Sequence, residues 1–397
     1  MNDVPRSNRK HITIFGKTNS GKSSLFNAIL GTDTAIISDK EGTTTDPVVK
    51  SMELIPYGPI VLTDTAGLFD KTEMGEMREK KTIEIMERTD FAIYAIDVND
   101  YDGLEYEKLK SLFEKYKIPY IITITKSDLL GEATIEGFLR LFENACTVTV
   151  NDKRSVEDFK KMLAQLLKES ENEDENLIRG LVKEGGNVLL VIPIDSEAPK
   201  GRLILPQVQM IRDCLDCGIR CCVTTVEGIK ASIEEYKRID LVITDSQVFK
   251  KVDELLPKDI KLTSFSILMA RQKGDIKKFT EGVRAFEELD DGDTILIAES
   301  CTHTKNHEDI GTVKIPNGLK KVTGKDLRFE FSNGHDYPDD LEKYKMVIHC
   351  GGCMMTSREM RSRIRKNEEK NVPITNYGIT LAYISGILER SIEVLKS

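Results

Sequence analysis

An apolar strand-like run, His11 to Phe15, passes directly into Gly16-Lys17-Thr18-Asn19-Ser20-Gly21-Lys22-Ser23, and Leu25 to Leu30 then reads as helix. A G-x-x-x-x-G-K-S pattern in strand, loop, helix order leaves few folds open. It demands an α/β sheet whose first strand delivers a phosphate-binding loop to a helix N-terminus. The glycines let successive backbone N–H groups converge on the β-phosphate. Gly16, Asn19, Ser20, Gly21 and Ser24 are assigned to that cradle, Lys22 reaches the β- and γ-phosphates, and the Ser23 hydroxyl ligates Mg²⁺.

The nucleotide is decided further along. Asp64-Thr65-Ala66-Gly67 follows the apolar run Ile60 to Leu62 and places a carboxylate where it can hold the magnesium shell, while Gly67 offers an N–H to the γ-phosphate. Thr125-Lys126-Ser127-Asp128 follows the apolar run Pro119 to Ile124. Asp128 can accept from guanine N1–H and N2–H₂, which adenine does not offer, and the Lys126 stem can lie across the ring. In order and spacing, these three motifs resemble the TrmE-Era-like branch of translation-factor-type GTPases. Two departures stand out. The base-reading motif of that branch usually begins with asparagine, and Thr125 has one fewer donor with which to bridge guanine to the phosphate loop. Leu68 follows Gly67, so the glutamine that orients water in Ras-like enzymes is missing and intrinsic hydrolysis is expected to be slow. The resemblance implies that Asn19 helps bind K⁺ in place of an arginine finger. It also implies that the loop Gly42-Thr43-Thr44-Thr45-Asp46 completes that site and supplies a magnesium-sensing threonine, Thr43 or Thr44. The expected GTP- and GDP-binding enzyme therefore uses Lys22, Asp64, Gly67 and Thr44 in catalysis and is potassium-activated.

Helix over 77–87, strand 91–98, helix 104–115, strands 120–125 and 147–150, and helix 156–168 complete a mostly parallel sheet wrapped by helices in residues 1–168. Residues 169–177 are an acidic, non-periodic linker. Residues 178–275 read as a second, small α/β unit for association: strands at 188–194, 219–225 and 241–244, helices at 207–216, 226–236 and 249–256. Pro193-Ile194-Asp195 and Thr244-Asp245-Ser246 end strands with residues that cap the following turns. Cys214, Cys217, Cys221 and Cys222 read as small buried hydrophobes rather than a metal site.

Residues 276–397 carry Cys301-Thr302-His303 and, after residues 304–348, His349-Cys350-Gly351-Gly352-Cys353. Each stretch follows an apolar strand-like run, 294–298 and 346–348, so both ligand sets are placed just past strand carboxyl ends, where open α/β sheets bind ligands. Helices at 276–289, 358–366 and 380–395 and a strand at 372–375 complete this α/β unit. The polar N-terminus predicts a cytoplasmic protein, in which eight cysteines stay reduced and favour metal ligation over disulfides. Cys301, Cys350 and Cys353 suit either zinc, with His303 or His349 as the fourth ligand, or a three-cysteine [4Fe-4S] cluster with one open iron. No apolar run reaches the roughly 18 residues of a membrane span. The net charge of -9 gives no footprint for nucleic acid. Arg358, Arg361, Arg363, Arg365 and Lys366 read as a solvated helix face.

The arrangement Cys-x-His, long spacer, His-Cys-x-x-Cys behind a TrmE-like GTPase closely resembles the HydF family of [FeFe] hydrogenase maturation GTPases, over the full chain. The resemblance implies a dimeric scaffold that holds a [4Fe-4S] cluster on Cys301, Cys350 and Cys353, with His303 and His349 as exchangeable fourth ligands or pocket residues; Glu299, two positions before Cys301 on the same side of an extended segment, is a further candidate beside an exogenous group. It implies receipt of a diiron precursor from the radical-SAM maturases HydE and HydG and delivery to apo-hydrogenase, with GTP hydrolysis timing partner exchange. The competing expectation is a GTP-regulated tRNA-modification or ribosome-assembly protein with a structural zinc domain.

Overall fold

The computed structural model describes residues 6–31, 47–65, 75–142, 144–170, 176–194, 200–300, 309–334 and 336–396. Two compact units are formed, Met1–Asn172 and Glu173–Ser397. Both are α/β, as the strand and helix alternation predicts.

The first unit runs β1 (Lys10–Phe15), α1 (Lys22–Leu30), β2 (Val48–Leu54), β3 (Gly58–Asp64), α2 (Gly75–Met86), β4 (Phe91–Asp97), α3 (Gly103–Lys115), β5 (Tyr120–Thr125), α4 (Glu132–Leu141), β6 (Ala145–Thr147) and α5 (Lys153–Glu169). Its sheet has the order β2-β3-β1-β4-β5-β6. Every pairing is parallel except the β2/β3 hairpin. The two faces of β1 explain its central place: Ile12 and Ile14 join one buried cluster with Leu25, Ile29 and Leu163, while Phe15 joins another with Tyr94 and Phe113. A strand covered on both faces reads as a continuous apolar run, and each fully buried isoleucine contributes about 1.5–3 kcal/mol. The last strand was expected at 147–150 but spans Ala145–Thr147; residues after it turn away, with Asp152 accepting from the Arg154 N–H to cap α5.

The second unit contains two four-stranded, all-parallel sheets. The first is built from β7 (Asn187–Val191), α6 (Leu205–Asp216), β8 (Arg220–Thr224), α7 (Ile229–Glu235), β9 (Leu241–Thr244), α8 (Phe249–Leu255), β10 (Leu262–Ser264) and α9 (Phe265–Lys273), in the order β10-β9-β7-β8. The second is built from α10 (Ile276–Gly282), β11 (Thr294–Glu299), α11 (Ile315–Thr323), β12 (Arg328–Asn333), β13 (Met346–His349), α12 (Ser357–Glu369), β14 (Ile374–Asn376), α13 (Tyr377–Ile384) and α14 (Leu388–Glu393), in the order β12-β11-β13-β14. One buried apolar cluster joins them: Leu189, Val242 and Ile267 belong to it together with Ile295, Ile297 and Ile348. The expected helix over 380–395 is broken where Gly386 takes φ 72°, a conformation that ends a helix. The expected helix over 276–289 tightens into a 3-10 turn at Val283–Glu288. Of the four cysteines expected to be small buried hydrophobes, Cys214 on α6 is buried, while Cys217 at the end of α6 and Cys221 and Cys222 in β8 are half-buried. Among the described residues no helix is long and apolar enough to cross a membrane.

Candidate nucleotide and metal sites

β1 ends at Phe15 and the loop Gly16–Gly21 lifts over the carboxyl edge of the sheet into α1. Gly16 adopts φ 143°, and a Cβ there would lie 2.4 Å from the Ala95 carbonyl oxygen and 2.7 Å from Ser20 Oγ, so no side chain fits. Gly21 takes φ 83°, and Asn19, at φ 66°, is one of the few residue types besides glycine that tolerates that region. Lys22 is 6% exposed and its Nζ donates to the carbonyls of Gly16 at 2.8 Å and Lys17 at 2.7 Å. The ammonium is thus held over the cradle by the loop's own backbone. Ser23 and Ser24 stand exposed in the first turn of α1.

Asp64 ends β3, paired with Ile14 on β1, and is buried. Thr65 donates from Oγ1 to the Ile14 carbonyl at 2.7 Å, which ties this motif to the strand that carries the phosphate loop. The third motif is tied to the loop as well. Thr125 Oγ1 lies 2.7 Å from the Ser20 carbonyl and 3.1 Å from that of Ile96, so its single hydroxyl proton is taken up by backbone and ties the motif to the phosphate loop. Lys126 reaches back to donate to the Asn19 carbonyl at 3.0 Å and to Asp97 at 2.6 Å. Burial pushes the Asp97 carboxyl up, but the Lys126 and Asn99 hydrogen bonds outweigh it and leave it below its ordinary value. Asp128 is exposed in the turn Ser127–Leu129, and the Ser127 hydroxyl meets that of Thr149 at 2.9 Å. Thr43, Thr44 and Gly67 lie outside the described residues.

In the second unit, β13 and β11 are paired in register, and the Cys350 N–H donates to the Ala298 carbonyl at 2.8 Å. The carboxyl end of β11 therefore reaches the second cysteine stretch: Ser300 donates its N–H to Cys350 Sγ at 3.1 Å and places its hydroxyl 3.2 Å away. The Gly352 N–H approaches the same sulfur at 3.4 Å. Backbone N–H groups aimed at a sulfur are what a thiolate cluster ligand uses. Cys301 and His303 lie outside the described residues, and among those described no three His, Cys, Asp or Glu side chains converge enough to hold a metal ion.

Cys350 and Cys353 line a cavity of about 170 Å³, together with Glu299 at the end of β11, Tyr377 at the start of α13, Asp309, and Asp245 beyond β9. These are carboxyl ends of strands from both sheets, the place where open α/β sheets bind ligands. Glu299 is 3% exposed and accepts from the Tyr377 hydroxyl at 3.0 Å. Burial, then the nearby Cys350 and Glu299, push the Tyr377 phenol well above its ordinary value. Asp309 accepts from the Thr312 N–H and hydroxyl at 2.6 and 2.7 Å. Asp245, expected to be a turn residue only, accepts from Gln207 at 3.0 Å and lines the cavity.

His349 is fully buried, and both ring nitrogens are engaged. A carbonyl can only accept and a guanidinium can only donate, so the tautomer follows: Nδ1–H donates to the Cys350 carbonyl at 2.9 Å and Nε2 accepts from Arg363 at 2.9 Å. Burial first, and then the Arg363 charge, push the imidazole down to about 3. Arg363 corrects the reading of its helix as a solvated face. It is 6% exposed, donates to the Gly334 carbonyl at 2.6 Å and lies 4.6 Å from the Tyr337 ring centroid.

Sequence reasoning also missed Lys273, the last residue of α9 and 2% exposed. Its Nζ donates to the carbonyls of Gly352 at 3.0 Å, Cys353 at 3.3 Å and Met355 at 2.8 Å. Burial lowers its pKa to about 8, while Cys353, Cys350 and Glu359 act in the opposite direction. Burial also raises the Cys353 thiol, with Cys350 adding to it and Lys273 opposing. A lone lysine at a helix end carries no signal in sequence.

Comparison with known proteins divides the chain where the chemistry changes. GTPase Der of Kosmotoga olearia is 35% identical over 137 residues, 33% of this chain and 31% of the relative. The tRNA modification GTPase MnmE of Endomicrobium trichonymphae is 37% identical over 122 residues, 30% of this chain and 26% of the relative. The chain thus spans less than a third of the length of these two. Among solved structures, the G domain of the T. maritima FeoB iron transporter matches 40% of this chain and 99% of its own at 18% identity, with a TM-score of 0.32. The family model for a 50S ribosome-binding GTPase matches residues 11–126. Behind it, the model for the hydrogen maturase F dimerization domain matches residues 177–274 and that for the hydrogen maturase F tetramerization domain residues 277–394. The front of the chain is a GTPase domain that takes GTP or GDP with Mg²⁺ and hydrolyses GTP. With that domain followed by both of the family's own modules in order, the chain belongs to the hydrogen maturase F family.

Proposed function

We propose that this protein is a GTP-hydrolysing carrier in [FeFe] hydrogenase maturation. In this reading Cys301, Cys350 and Cys353 hold a [4Fe-4S] cluster, whose open iron supplies a coordination position for cargo. The observation that carries it is the approach of Ser300, at the end of β11, to the Cys350 sulfur beside a cavity lined by Cys350, Cys353 and Glu299, with backbone N–H groups already directed at that sulfur. All-thiolate donors in a small-residue turn suit a cluster as they suit zinc. The family assignment favours the cluster. The exchangeable position falls to His303, Glu299 or an exogenous ligand, because His349 would have to release Arg363 or the Cys350 carbonyl to reach a metal. The cargo is a diiron precursor received from HydE and HydG and passed to apo-hydrogenase. The names of the two rear family models support a homo-oligomer, with residues 178–275 serving association, residues 276–397 the cluster, and residues 169–177 linking them to the GTPase.

Within this chain, the nucleotide machinery binds and orients. Lys22 neutralises the β- and γ-phosphates, Ser23 and Asp64 hold Mg²⁺ directly and through its shell, and Asp128 reads guanine. Gly67 and Thr43 or Thr44 would sense the γ-phosphate.

Anaerobic purification followed by iron and sulfide analysis and EPR of the reduced protein tests the cluster. Wild type is expected to hold about four irons and four sulfides, as a [4Fe-4S] cluster requires. Cys301→Ala, Cys350→Ala and Cys353→Ala should each lose most of the iron. Stoichiometric zinc without an iron–sulfur signal would sink the reading.

Potassium activation is tested separately. Asn19 is exposed at the loop crest, with its side chain free of any hydrogen bond described here. Turnover should be faster in K⁺ than in Na⁺, because a fixed cation beside the phosphates stabilises the developing charge, and Asn19→Ala should abolish the difference. Equal rates in the two salts for wild type remove the claim.

A further inference from the structure

Lys273 ends α9 in the association segment, yet its ammonium donors are directed at the cysteine turn of the next segment. Three carbonyl acceptors surround its Nζ, at Gly352, Cys353 and Met355. A neutral amine has only two N–H bonds, so three donated hydrogen bonds require the ammonium form. A buried ammonium is costly unless it is paired and hydrogen-bonded. Here the carbonyls meet its donors, and the charges facing it are Cys353, Cys350 and Glu359. Its position in the last turn of α9 adds the negative end of that helix.

The turn it grips is tight. Gly352 takes φ 66°, and the Met355 N–H donates to the Gly352 carbonyl at 3.0 Å, after which Thr356 caps α12. The Gly352 carbonyl is thus shared between Met355 and Lys273, and that of Cys353 is directed at Lys273. A cation fixed beside two thiolates stabilises negative charge placed on them or on whatever they ligate.

We propose that Lys273 is a positioning residue and fixed counter-charge for the metal centre: it clamps the Gly352–Met355 turn through its carbonyls and raises the reduction potential of an iron–sulfur cluster bound by Cys350 and Cys353. This rests on the cluster reading above. An electron added to a cluster increases its negative charge, and a nearby buried ammonium favours that reduced form. The clamp also makes the association segment a direct structural partner of the cluster turn. A displacement of α9 therefore acts on the centre through one side chain.

The test uses the full chain purified anaerobically. Wild type, Lys273→Met, Lys273→Gln and Lys273→Arg are compared by iron and sulfide content, far-UV circular dichroism and an EPR-monitored potentiometric titration with dithionite. Both neutral variants are expected to fold, to retain less iron than wild type, and to show a lower midpoint potential in whatever cluster they keep. Lys273→Arg, which retains the charge, should lie between them and wild type. Wild-type midpoint and g values in the neutral variants overturn the proposal. Failure of both neutral variants to fold overturns it too, because Lys273 would then be a requirement of the core. A wild-type protein that binds no cluster overturns the underlying reading instead, before any variant is compared.

Discussion

Lys22→Met is expected to lower single-turnover GTP hydrolysis by about 10²–10³-fold, the usual loss when one preorganised charge aimed at a developing oxyanion is removed. The side chain is buried and already held over the loop by the Gly16 and Lys17 carbonyls, so nucleotide binding need only exchange those acceptors for phosphate oxygens. That preorganisation is what methionine removes; its stem fills the same space. Fold should survive, because the Lys22 bonds lie within a loop whose path is also set by Gly16 against Ala95 and by Thr125 against Ser20. The measurement is the first-order release of phosphate from excess enzyme, alongside guanine-nucleotide affinity and a far-UV spectrum. Since Leu68 leaves no glutamine to orient water, the wild-type rate is itself expected to be low, and single-turnover conditions keep the loss visible. A rate within about threefold of wild type, roughly 0.65 kcal/mol in barrier, would rule out the assigned role.

The phosphate loop was legible because its function forces a local pattern. Only glycine fits at Gly16, and the strand and helix flanking it are long apolar runs. The same holds for β11 and β13, whose burial on both faces writes them as uninterrupted hydrophobic stretches. Legibility fails where burial is partial. β12 has exposed residues along much of its length, so it carries no strong periodic signature. At the proposed metal site, the cysteines were visible by residue type, but their support was not. Arg363 sits among four other basic residues in sequence, and nothing there separates it from its solvated neighbours. What singles it out is a fold-level event: α12 packs so that position 363 faces β13 and meets His349. Lys273 likewise depends on α9, an element that the sequence reading did not recognise at all. Its nine residues are apolar around most of the circumference, since the helix is enclosed by both sheets' cores, and a helix buried all round has no amphipathic period to read.

His349→Leu should destabilise the metal-free protein by about 3 kcal/mol, because it strands two buried polar groups at once. The Cys350 carbonyl loses the His349 donor, and Arg363, 6% exposed, loses the acceptor that its Nη1 has in His349. The guanidinium keeps Gly334 and the Tyr337 ring, which limits the loss, while one of its buried donors no longer has the His349 acceptor. For a unit the size of residues 173–397 this corresponds to a fall in Tm of about 6–12 °C. The double variant His349→Leu, Arg363→Met removes the charge as well as its partner and should recover a good part of that loss, since replacing both members of a buried polar pair with apolar groups is often close to neutral. Thermal denaturation of the apo forms, in the presence of chelator, separates this role from ligation. A residue whose purpose is to bind iron would leave apo stability unchanged on replacement, and its neighbour Arg363 would show no coupling to it. If His349→Leu melts with wild type in chelator, the hydrogen-bonded relay is not what fixes this histidine, and the ring becomes available to the metal. If the single and double variants behave as expected, the chain Arg363, His349, Cys350 is the scaffold that sets the direction of the cysteine turn from behind, while Lys273 holds it from the other side.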